Sequence, residues 1–303
     1  MTAPLTLLDG GMGQELVRRL RTASGRAATP LWSTQVLVEA PELVTQLHAD
    51  YLAAGADVLT LATYAATPQR LRRDGLPDQF EALQRGGAQC AIDAREASGR
   101  TGARIAACLP PLVASYRSDV QPAADVSRQA YQRIVACQAE RVDLMLCETM
   151  STIEEACIAA EVGLSSGLPV WVALSVADEL PDGSVPRLRG GETLGAAIKA
   201  LEALSVDALL LNCSSPEAIS AAMPTLSRTA LAFGAYANAF HSIAALEPGG
   251  TVDTLQGRYD LGPEAYAQAA APWRAAGASI IGGCCETTPA HVGQLHARLN
   301  RAQ

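Results

Sequence analysis

The amino-acid sequence predicts an α/β protein folded as a (β/α)8 TIM barrel, and three observations lead to that expectation. The chain has 303 residues, which suits a barrel of roughly 250 residues with insertions. Short β-rich runs alternate with longer helical patterns along nearly the whole chain, as in parallel α/β folds. Eight such runs can be identified, and polar residues follow most of them. We therefore expect residues 1–303 to form a single barrel domain.

The predicted strands are short and mostly apolar. Continuous apolar runs at residues 170–174 and 208–211 fit parallel strands buried on both faces, although such a run alone also fits a buried helix. Helix starts support the strand assignment, because Ser151-Thr152 precedes two glutamates and Thr287-Thr288-Pro289 precedes the last helical pattern. The eight predicted strands are Leu5–Leu8, Ala56–Leu61, Arg104–Cys108, Asp143–Cys147, Val170–Val176, Ala208–Leu211, Ala230–Ala235 and Ala278–Ile281.

Composition narrows the class of partner. The formal net charge is -8 and no Lys/Arg cluster is present, which argues against nucleic acid. No apolar run approaches the about 18 residues of a membrane span, and the N-terminus lacks the basic region of a secretory signal. We expect a cytoplasmic protein that acts on small molecules, with neither nucleic acid nor a membrane as partner. The sequence leaves open whether the chain forms a homo-oligomer.

The residues that follow the predicted strands are the candidates for chemistry, because enzymes on this barrel use the loops at the C-terminal ends of the strands. Only the third set of residues is apolar. In chain order the sets are Asp9-Gly10-Gly11, Thr63-Tyr64, Leu109-Pro110-Pro111, Glu148-Thr149, Ser175, Asn212-Cys213, Tyr236-Ala237-Asn238 and Gly283-Cys284-Cys285.

Three cysteines among these residues indicate a zinc site. Cys213 follows the sixth predicted strand, and Cys284 and Cys285 follow the eighth, so all three should open onto one rim of the barrel. Zinc prefers soft thiolates, and three protein ligands with one open position is its catalytic arrangement. Gly282 and Gly283 should let the backbone turn tightly enough for both neighbouring sulfurs to face inward. The alternatives are buried core cysteines or a redox pair.

The remaining cysteines are expected to pack within helices and strands. Of these, only Cys147 is expected near the rim of the barrel. The set comprises Cys90, Cys108, Cys137, Cys147 and Cys157.

Several motifs along nearly the full chain resemble those of the zinc-dependent homocysteine S-methyltransferases. The resemblance is stronger to single-domain enzymes that use S-methylmethionine or a related sulfonium than to betaine–homocysteine methyltransferase or the homocysteine domain of methionine synthase. The matching motifs are Asp9-Gly10-Gly11-Met12-Gly13, Leu31-Trp32-Ser33, Ala54-Gly55-Ala56-Asp57, Thr63-Tyr64, Cys147-Glu148-Thr149, Asn212-Cys213 and residues 282–289.

The resemblance implies transfer of a methyl group from a sulfonium or quaternary ammonium donor to the thiol of homocysteine, giving methionine. It implies that Cys213, Cys284 and Cys285 hold Zn2+ and act in catalysis through it. The chemistry agrees, because a free thiol with a pKa of about 8.5 is mostly protonated at neutral pH. Coordination to zinc removes that proton and leaves a nucleophile.

The resemblance also implies where the amino acid binds. The positions matching Asp9 and the backbone of Gly10 and Gly11 hold the amino and carboxylate groups of homocysteine, and the position matching Glu148 pairs with its ammonium. The alternative for the glycines is an ordinary strand-to-helix turn, since the spacing of a dinucleotide-binding fingerprint is not met. The alternative for the glutamate is a solvated loop acid.

Three further residues are expected to bind substrate through the same resemblance. Trp32 and Tyr64 would face the positive donor through cation–π attraction, with core packing as the alternative for Trp32. Asn238 lies in the motif after the seventh predicted strand.

Two loops depart from the family pattern and leave the methyl donor open among S-methylmethionine, S-adenosylmethionine, a betaine and dimethylsulfoniopropionate. One departure is Leu109-Pro110-Pro111, and the other runs from Tyr236 to His241. His241 is either a solvated loop histidine or a titrating group near the site. The Gly- and Pro-rich segment from Ala244 to Tyr259 is either a lid or a variable surface loop.

Two other functional classes stay open from the residues alone. A zinc hydrolase would place water at the open position, but such barrel sites usually use histidine and carboxylate ligands. A non-catalytic metal or thiol sensor would oxidise Cys284 and Cys285 to a labile disulfide.

Overall fold

The computed structural model describes residues 3–25, 33–179, 184–243, 246 and 255–299. Its strands form one eight-stranded sheet in the order β1-β8-β7-β6-β5-β4-β3-β2, and each neighbouring pair is parallel. All eight predicted strands are confirmed, with ends shifted by a few residues. They are β1 (Thr6–Leu7), β2 (Val58–Thr60), β3 (Arg104–Leu109), β4 (Leu144–Met150), β5 (Val170–Leu174), β6 (Ala208–Asn212), β7 (Ala232–Tyr236) and β8 (Ile280–Ile281).

The sheet closes between β1 and β2. A parallel bridge joins Leu8 to Val58, and the Asp9 N–H donates to the Val58 carbonyl at 3.0 Å. The Asp57 N–H donates to the Leu7 carbonyl at 2.7 Å. The first strand is therefore paired on both sides, and Asp9 emerges where the barrel closes.

Helices surround the barrel, and their starts follow the signals in the sequence. Thr152 caps α7, because its Oγ1 accepts the Glu155 N–H at 3.1 Å. Pro289 begins the last helix, where a missing N–H costs nothing. In the described residues no helix is long and apolar enough to cross a membrane. The helices are α1 (Met12–Ser24), α2 (Ser33–Glu39), α3 (Pro41–Ala53), α4 (Pro68–Arg73), α5 (Phe80–Ser98), α6 (Ala124–Gln138), α7 (Ile153–Leu164), α8 (Leu194–Ala203), α9 (Pro216–Leu226), α10 (Pro263–Ala275) and α11 (Pro289–Leu299).

The core has two layers because strand side chains alternate between the barrel interior and the helix-facing side. Leu144, Trp171 and Leu210 belong to the inner cluster, which continues upward to the three cysteines of the predicted zinc site. The outer cluster packs the strands against the helices and includes Cys147 and Trp273. A filled interior leaves room for a ligand only at the end of the barrel.

At the N-terminal end of the barrel, where the strands begin, aspartate side chains accept hydrogen bonds from backbone N–H groups. The carboxylate of Asp57 accepts the Leu7 N–H at 2.9 Å. Asp143 accepts the Ile105 N–H at 2.7 Å, and Asp207 accepts an N–H at the start of β5 at 2.7 Å. Residues at this end of such barrels serve stability, so the chemistry is expected at the other end.

Candidate active site

The structure brings Cys213, Cys284 and Cys285 together at the C-terminal end of the barrel. Their sulfur atoms all lie within 4.8 Å of one another. The Sγ atoms of Cys284 and Cys285 are 4.0 Å apart, and a disulfide joins Cys213 to Cys284 while Cys285 is a free thiol. The sensor hypothesis had paired Cys284 with Cys285, so it named a different disulfide.

The reduced trio fits a tetrahedral metal ion. Zinc–sulfur bonds of about 2.3 Å at tetrahedral angles require sulfurs about 3.8 Å apart, close to the 4.0 Å between Cys284 and Cys285. Burial raises the pKa of the Cys285 thiol to about 12, so this sulfur ionises near neutral pH only beside a positive charge. Three buried thiols and no histidine are a soft donor set that suits zinc.

Gly282 and Gly283 serve close packing rather than a tight turn. The sequence suggested backbone freedom, but neither residue adopts a positive φ. A Cβ on Gly282 would lie 2.5 Å from the Cβ of Leu8, and one on Gly283 would lie 2.7 Å from the Cβ of Thr287. The glycines therefore let the β8 loop lie against β1 and the next turn, which fixes the direction of both cysteines.

Asn212 links the exits of β4 and β6. Its Oδ1 accepts the Thr149 N–H at 3.0 Å, and its Nδ2 donates to the Thr149 Oγ1 at 3.0 Å. Thr149 and Cys213 both have positive φ, at 62° and 47°, which is unfavourable for residues with a Cβ. The paired amide offsets this strain and holds Glu148 and Cys213 at neighbouring exits.

One cavity lies beside the cysteines and encloses about 1160 Å³, counting its open mouth. Several substrate-binding residues expected from the sequence line it, namely Asp9, Gly10, Gly11, Tyr64 and Glu148.

One expected residue is absent from the described wall of the cavity, and another lies outside the described residues. Asn238 is 2% exposed and is not among the described residues that line the cavity. Its Oδ1 accepts the Phe240 N–H at 3.2 Å, which shapes the loop that follows β7. Trp32 lies outside the described residues.

The two acids in the cavity are buried and hydrogen-bonded. Asp9 accepts the Thr60 N–H at 2.7 Å and the Thr60 hydroxyl at 3.1 Å. Burial, with added repulsion from Glu148, raises the pKa of Asp9 to about 8. Burial also raises the pKa of Glu148 to about 7, although a hydrogen bond from the Cys108 thiol at 2.9 Å opposes the shift. A bound cation would relieve both acids, so the cavity favours a positively charged group.

Cys108 contacts one of the cavity acids. The sequence predicted Cys147 near the rim and a packing role for Cys108. Both cysteines are buried in the outer core cluster, but Cys108 also reaches Glu148, which lines the cavity. Cys108 donates to Glu148 and so contributes to the electrostatics of the cavity.

The Gly10-Gly11 turn is tied to the loop that carries the vicinal cysteines. The Gly11 N–H donates to the Thr287 carbonyl at 3.0 Å and to its hydroxyl at 3.1 Å. A Cβ on Gly10 would lie 2.8 Å from the Tyr51 hydroxyl oxygen. The Gly11 amide is thus used within the protein, which supports the reading of this segment as a structural turn.

Tyr64 lies on the cavity wall, and both its hydroxyl and its ring contact other residues of the protein. Its hydroxyl is 2.8 Å from the Ser115 Oγ, and the guanidinium carbon of Arg70 lies 5.1 Å from its ring centroid. One aromatic face is therefore covered by a cation of the protein itself.

Several residues of the site gave no signal in the sequence. Thr60, Arg70 and Tyr116 line the cavity with Gln14, and they were missed because only the tertiary fold brings them there. His241 is exposed and is not among the described cavity residues, in keeping with a solvated loop histidine. Most of the segment proposed as a lid, residues 244–245 and 247–254, lies outside the described residues.

The fold and the site define a class: a parallel barrel enzyme with a cluster of three cysteines that could hold a metal ion and a buried acidic cavity at its mouth. The family model described as homocysteine S-methyltransferase matches residues 6–299. The chain belongs to this family. It is 33% identical to the homocysteine S-methyltransferase of Escherichia coli strain K12, with 97% of this chain and 95% of the relative covered.

Solved structures agree with this assignment. The metallated form of the homocysteine methyltransferase MmuM from Escherichia coli has a TM-score of 0.78 at 29% identity, covering 97% of this chain and 96% of that one. Its oxidised form has a TM-score of 0.76 at the same identity and coverage. The predicted barrel and the predicted enzyme class, a homocysteine S-methyltransferase, are confirmed. The family is one of methyltransferases, which disfavours the hydrolase and sensor alternatives.

Proposed function

We propose that this enzyme transfers a methyl group from a sulfonium donor to homocysteine, and that it does so with zinc held by Cys213, Cys284 and Cys285. The observation that carries the proposal is the convergence of three buried sulfurs within 4.8 Å of one another on the wall of the substrate cavity. The metallated form of the Escherichia coli relative supports the presence of a metal.

A zinc ion bound by the reduced cysteines would lower the pKa of the homocysteine thiol and supply a thiolate nucleophile at neutral pH. The chain itself does the positioning. Asn212 and the two glycines before Cys284 keep the three sulfurs directed at one point. The trio is largely buried, with Cys213 at 3%, Cys284 at 9% and Cys285 at 8% exposure, which limits access of solvent to the sulfurs.

Asp9 and Glu148 bind the ammonium of homocysteine. Both carboxylates line the cavity, and each keeps acceptor capacity beyond its bonds to Thr60 and Cys108. Pairing with an ammonium stabilises their ionised forms, which burial alone disfavours. The amino acid is then fixed at one end while its sulfur reaches the cysteine cluster, so alignment for in-line methyl transfer is set before the donor arrives.

A positively charged donor fits the same electrostatics. The cavity combines two buried acids with three sulfurs, and a sulfonium or quaternary ammonium is attracted to that wall. Among candidate donors we favour a sulfonium such as S-methylmethionine, to which the sequence resemblance points. Trp32 and Asn238 remain predicted substrate residues, and cytoplasmic localisation also remains a prediction.

A donor panel tests the proposal. Reduced, zinc-loaded enzyme is incubated with homocysteine and each of S-methylmethionine, S-adenosylmethionine, a betaine and dimethylsulfoniopropionate, and methionine is detected by mass. We expect methionine with a sulfonium donor and about one zinc per chain. Zinc-free enzyme that turns over at the same rate would show that the metal part of the proposal is wrong.

A matched pair of cysteine variants separates ligand loss from general damage. Cys285→Ser should remove both zinc and activity. Cys157→Ser changes a half-buried cysteine on α7, away from the cavity, and should retain both. If Cys285→Ser kept stoichiometric zinc and full turnover, its assignment as a ligand would fail.

A further inference from the structure

Arg70 is a buried arginine on the wall of the substrate cavity. It lies in α4, the helix that follows β2. Its side chain lines the cavity, and the residue is only 8% exposed. Arg70 is neither a predicted zinc ligand nor one of the acids proposed to bind the ammonium of homocysteine.

The hydrogen bond that Arg70 makes in the structure goes to a neutral acceptor. Its Nη2 donates to the carbonyl of Pro111 at 2.9 Å, and its guanidinium covers the Tyr64 ring. Its buried Nε has no hydrogen-bond partner among the residues that the structure describes. Within the described parts of the chain, no carboxylate forms an ion pair with it. A buried guanidinium without an anion is costly, so an anionic partner is expected from outside the protein.

Neighbouring arginines differ in this respect. Arg73 also lines the cavity, but its Nε and Nη2 donate to the two carboxylate oxygens of Asp74, each at 2.8 Å. Arg189, near the β5 exit, pairs with Asp178 at 2.9 Å. Both of these arginines contact a carboxylate directly, whereas Arg70 contacts none among the described residues.

Arg70 and the cysteine cluster lie on different sides of the cavity mouth. In the ring of eight strands, β2 stands opposite β6, and β6 leads into Cys213. Arg70 follows β2 and donates to Pro111 after β3, so it belongs to the β2–β3 side of the mouth, whereas Cys213 follows β6. The acids Asp9 and Glu148 lie at the exits of β1 and β4, between the side of Arg70 and the side of Cys213. A zwitterion with a carboxylate at one end and a sulfur centre at the other matches this arrangement of charge.

We propose that Arg70 anchors the carboxylate of a substrate that spans the mouth of the barrel. The planar fork of a guanidinium suits a carboxylate, which it binds with two parallel hydrogen bonds. The inference rests on the proposed function for the presence of such substrates, since S-methylmethionine and homocysteine both carry a carboxylate. The donor is favoured because the proposed function already places both ends of homocysteine, its ammonium at Asp9 and Glu148 and its sulfur at the cysteines.

Binding measurements on the zinc-loaded enzyme test this inference. S-methylmethionine, its methyl ester and homocysteine are titrated separately by calorimetry into the unchanged enzyme, Arg70→Gln and Arg70→Lys. The matched control is Arg72→Gln, on the same helix but exposed. We expect Arg70→Gln to weaken binding of one of the two amino acids by about 30-fold or more, as for loss of one partner of a buried charge pair. Arg70→Lys should recover part of that loss, and Arg72→Gln should change little.

The ester identifies the group that is recognised. If the donor carboxylate binds Arg70, the methyl ester should bind the unchanged enzyme about 30-fold more weakly than S-methylmethionine. In Arg70→Gln the ester and the acid should bind equally. A loss confined to homocysteine, with the ester penalty unchanged, would instead assign the carboxylate to the acceptor.

The outcomes separate this inference from the proposed function. A folded, zinc-replete Arg70→Gln that binds both amino acids with unchanged affinity overturns the inference, even if methyl transfer proceeds normally. Conversely, weakened binding in Arg70→Gln together with no methionine from any donor supports the anchor and refutes the proposed reaction. If Arg70→Gln does not fold, the comparison of acid with ester on the unchanged enzyme and on Arg70→Lys decides the question.

Discussion

The ionisation of Asp9 should make the stability of the metal-free enzyme fall as the pH rises. Replacing Asp9 with asparagine removes the ionisable group and keeps its place in the structure. The amide oxygen of the new side chain can still accept the Thr60 N–H, and the amide nitrogen can donate to the Thr60 hydroxyl, in place of the present bonds at 2.7 and 3.1 Å. Asp9→Asn therefore isolates the charge.

The magnitude follows from the pKa values of the folded and unfolded chain. Burial raises the pKa of Asp9 from 3.8 to about 8. Between these values the folded state holds a proton that the unfolded state releases, so the free energy of unfolding decreases as the pH rises. The stabilisation is fully present below pH 3.8 and is lost as the pH rises through about 8. One group of this kind contributes at most about 1.4 kcal/mol per pH unit.

Urea unfolding of reduced, metal-free protein at several values between about pH 5 and about pH 8 measures the effect. We expect the stability of the unchanged protein, relative to Asp9→Asn, to fall by about 1 kcal/mol per pH unit over this range. Asp78→Asn, at an exposed position, controls for removal of an acid. Identical pH slopes for Asp9→Asn and the unchanged protein would refute the reasoning.

Three further predictions concern the cysteine loops. Protein with the Cys213–Cys284 disulfide should show six thiols in a titration with a thiol reagent and should bind no zinc. The reduced protein should show eight thiols and should bind zinc. Zinc uptake without reduction would contradict this prediction. Asn212→Ala leaves the buried Thr149 N–H without its acceptor and should lower the free energy of unfolding by about 1–3 kcal/mol in a urea titration. Gly283→Ala should lower the free energy of unfolding by about 1–3 kcal/mol, because the structure has no space for a Cβ at this position. The same variant should bind zinc more weakly in a chelator competition. Unchanged zinc affinity would mean that this glycine does not position the cysteines.

The barrel could be predicted from the sequence because local signals agree with the global fold. Buried parallel strands appear in the sequence as continuous apolar runs, as in residues 208–211. Side-chain caps mark the start of several helices, namely α4, α7, α8 and α9. Strand ends were harder to place. β8 spans only Ile280–Ile281, although the N–H groups of Gly282 and Gly283 still donate to the carbonyls of Ala235 and Asp9.

The cysteine cluster could also be predicted, since a barrel brings all strand exits to one rim whatever their separation in the chain. Contacts made by single side chains could not. The roles of Thr60, Cys108 and Arg70 depend on which neighbour each side chain reaches. Helix positions and apolar strand positions carry no sequence signal for such contacts.

X-ray absorption at the zinc edge of reduced, zinc-loaded enzyme tests the central claim most directly. Without substrate, the spectrum should show three sulfur ligands at about 2.3 Å and one lighter atom at the open position. Addition of homocysteine should raise the count to four sulfurs, and the zinc of Cys285→Ser should be lost. A metal shell dominated by nitrogen and oxygen, or a sulfur count that homocysteine leaves unchanged, would contradict the account.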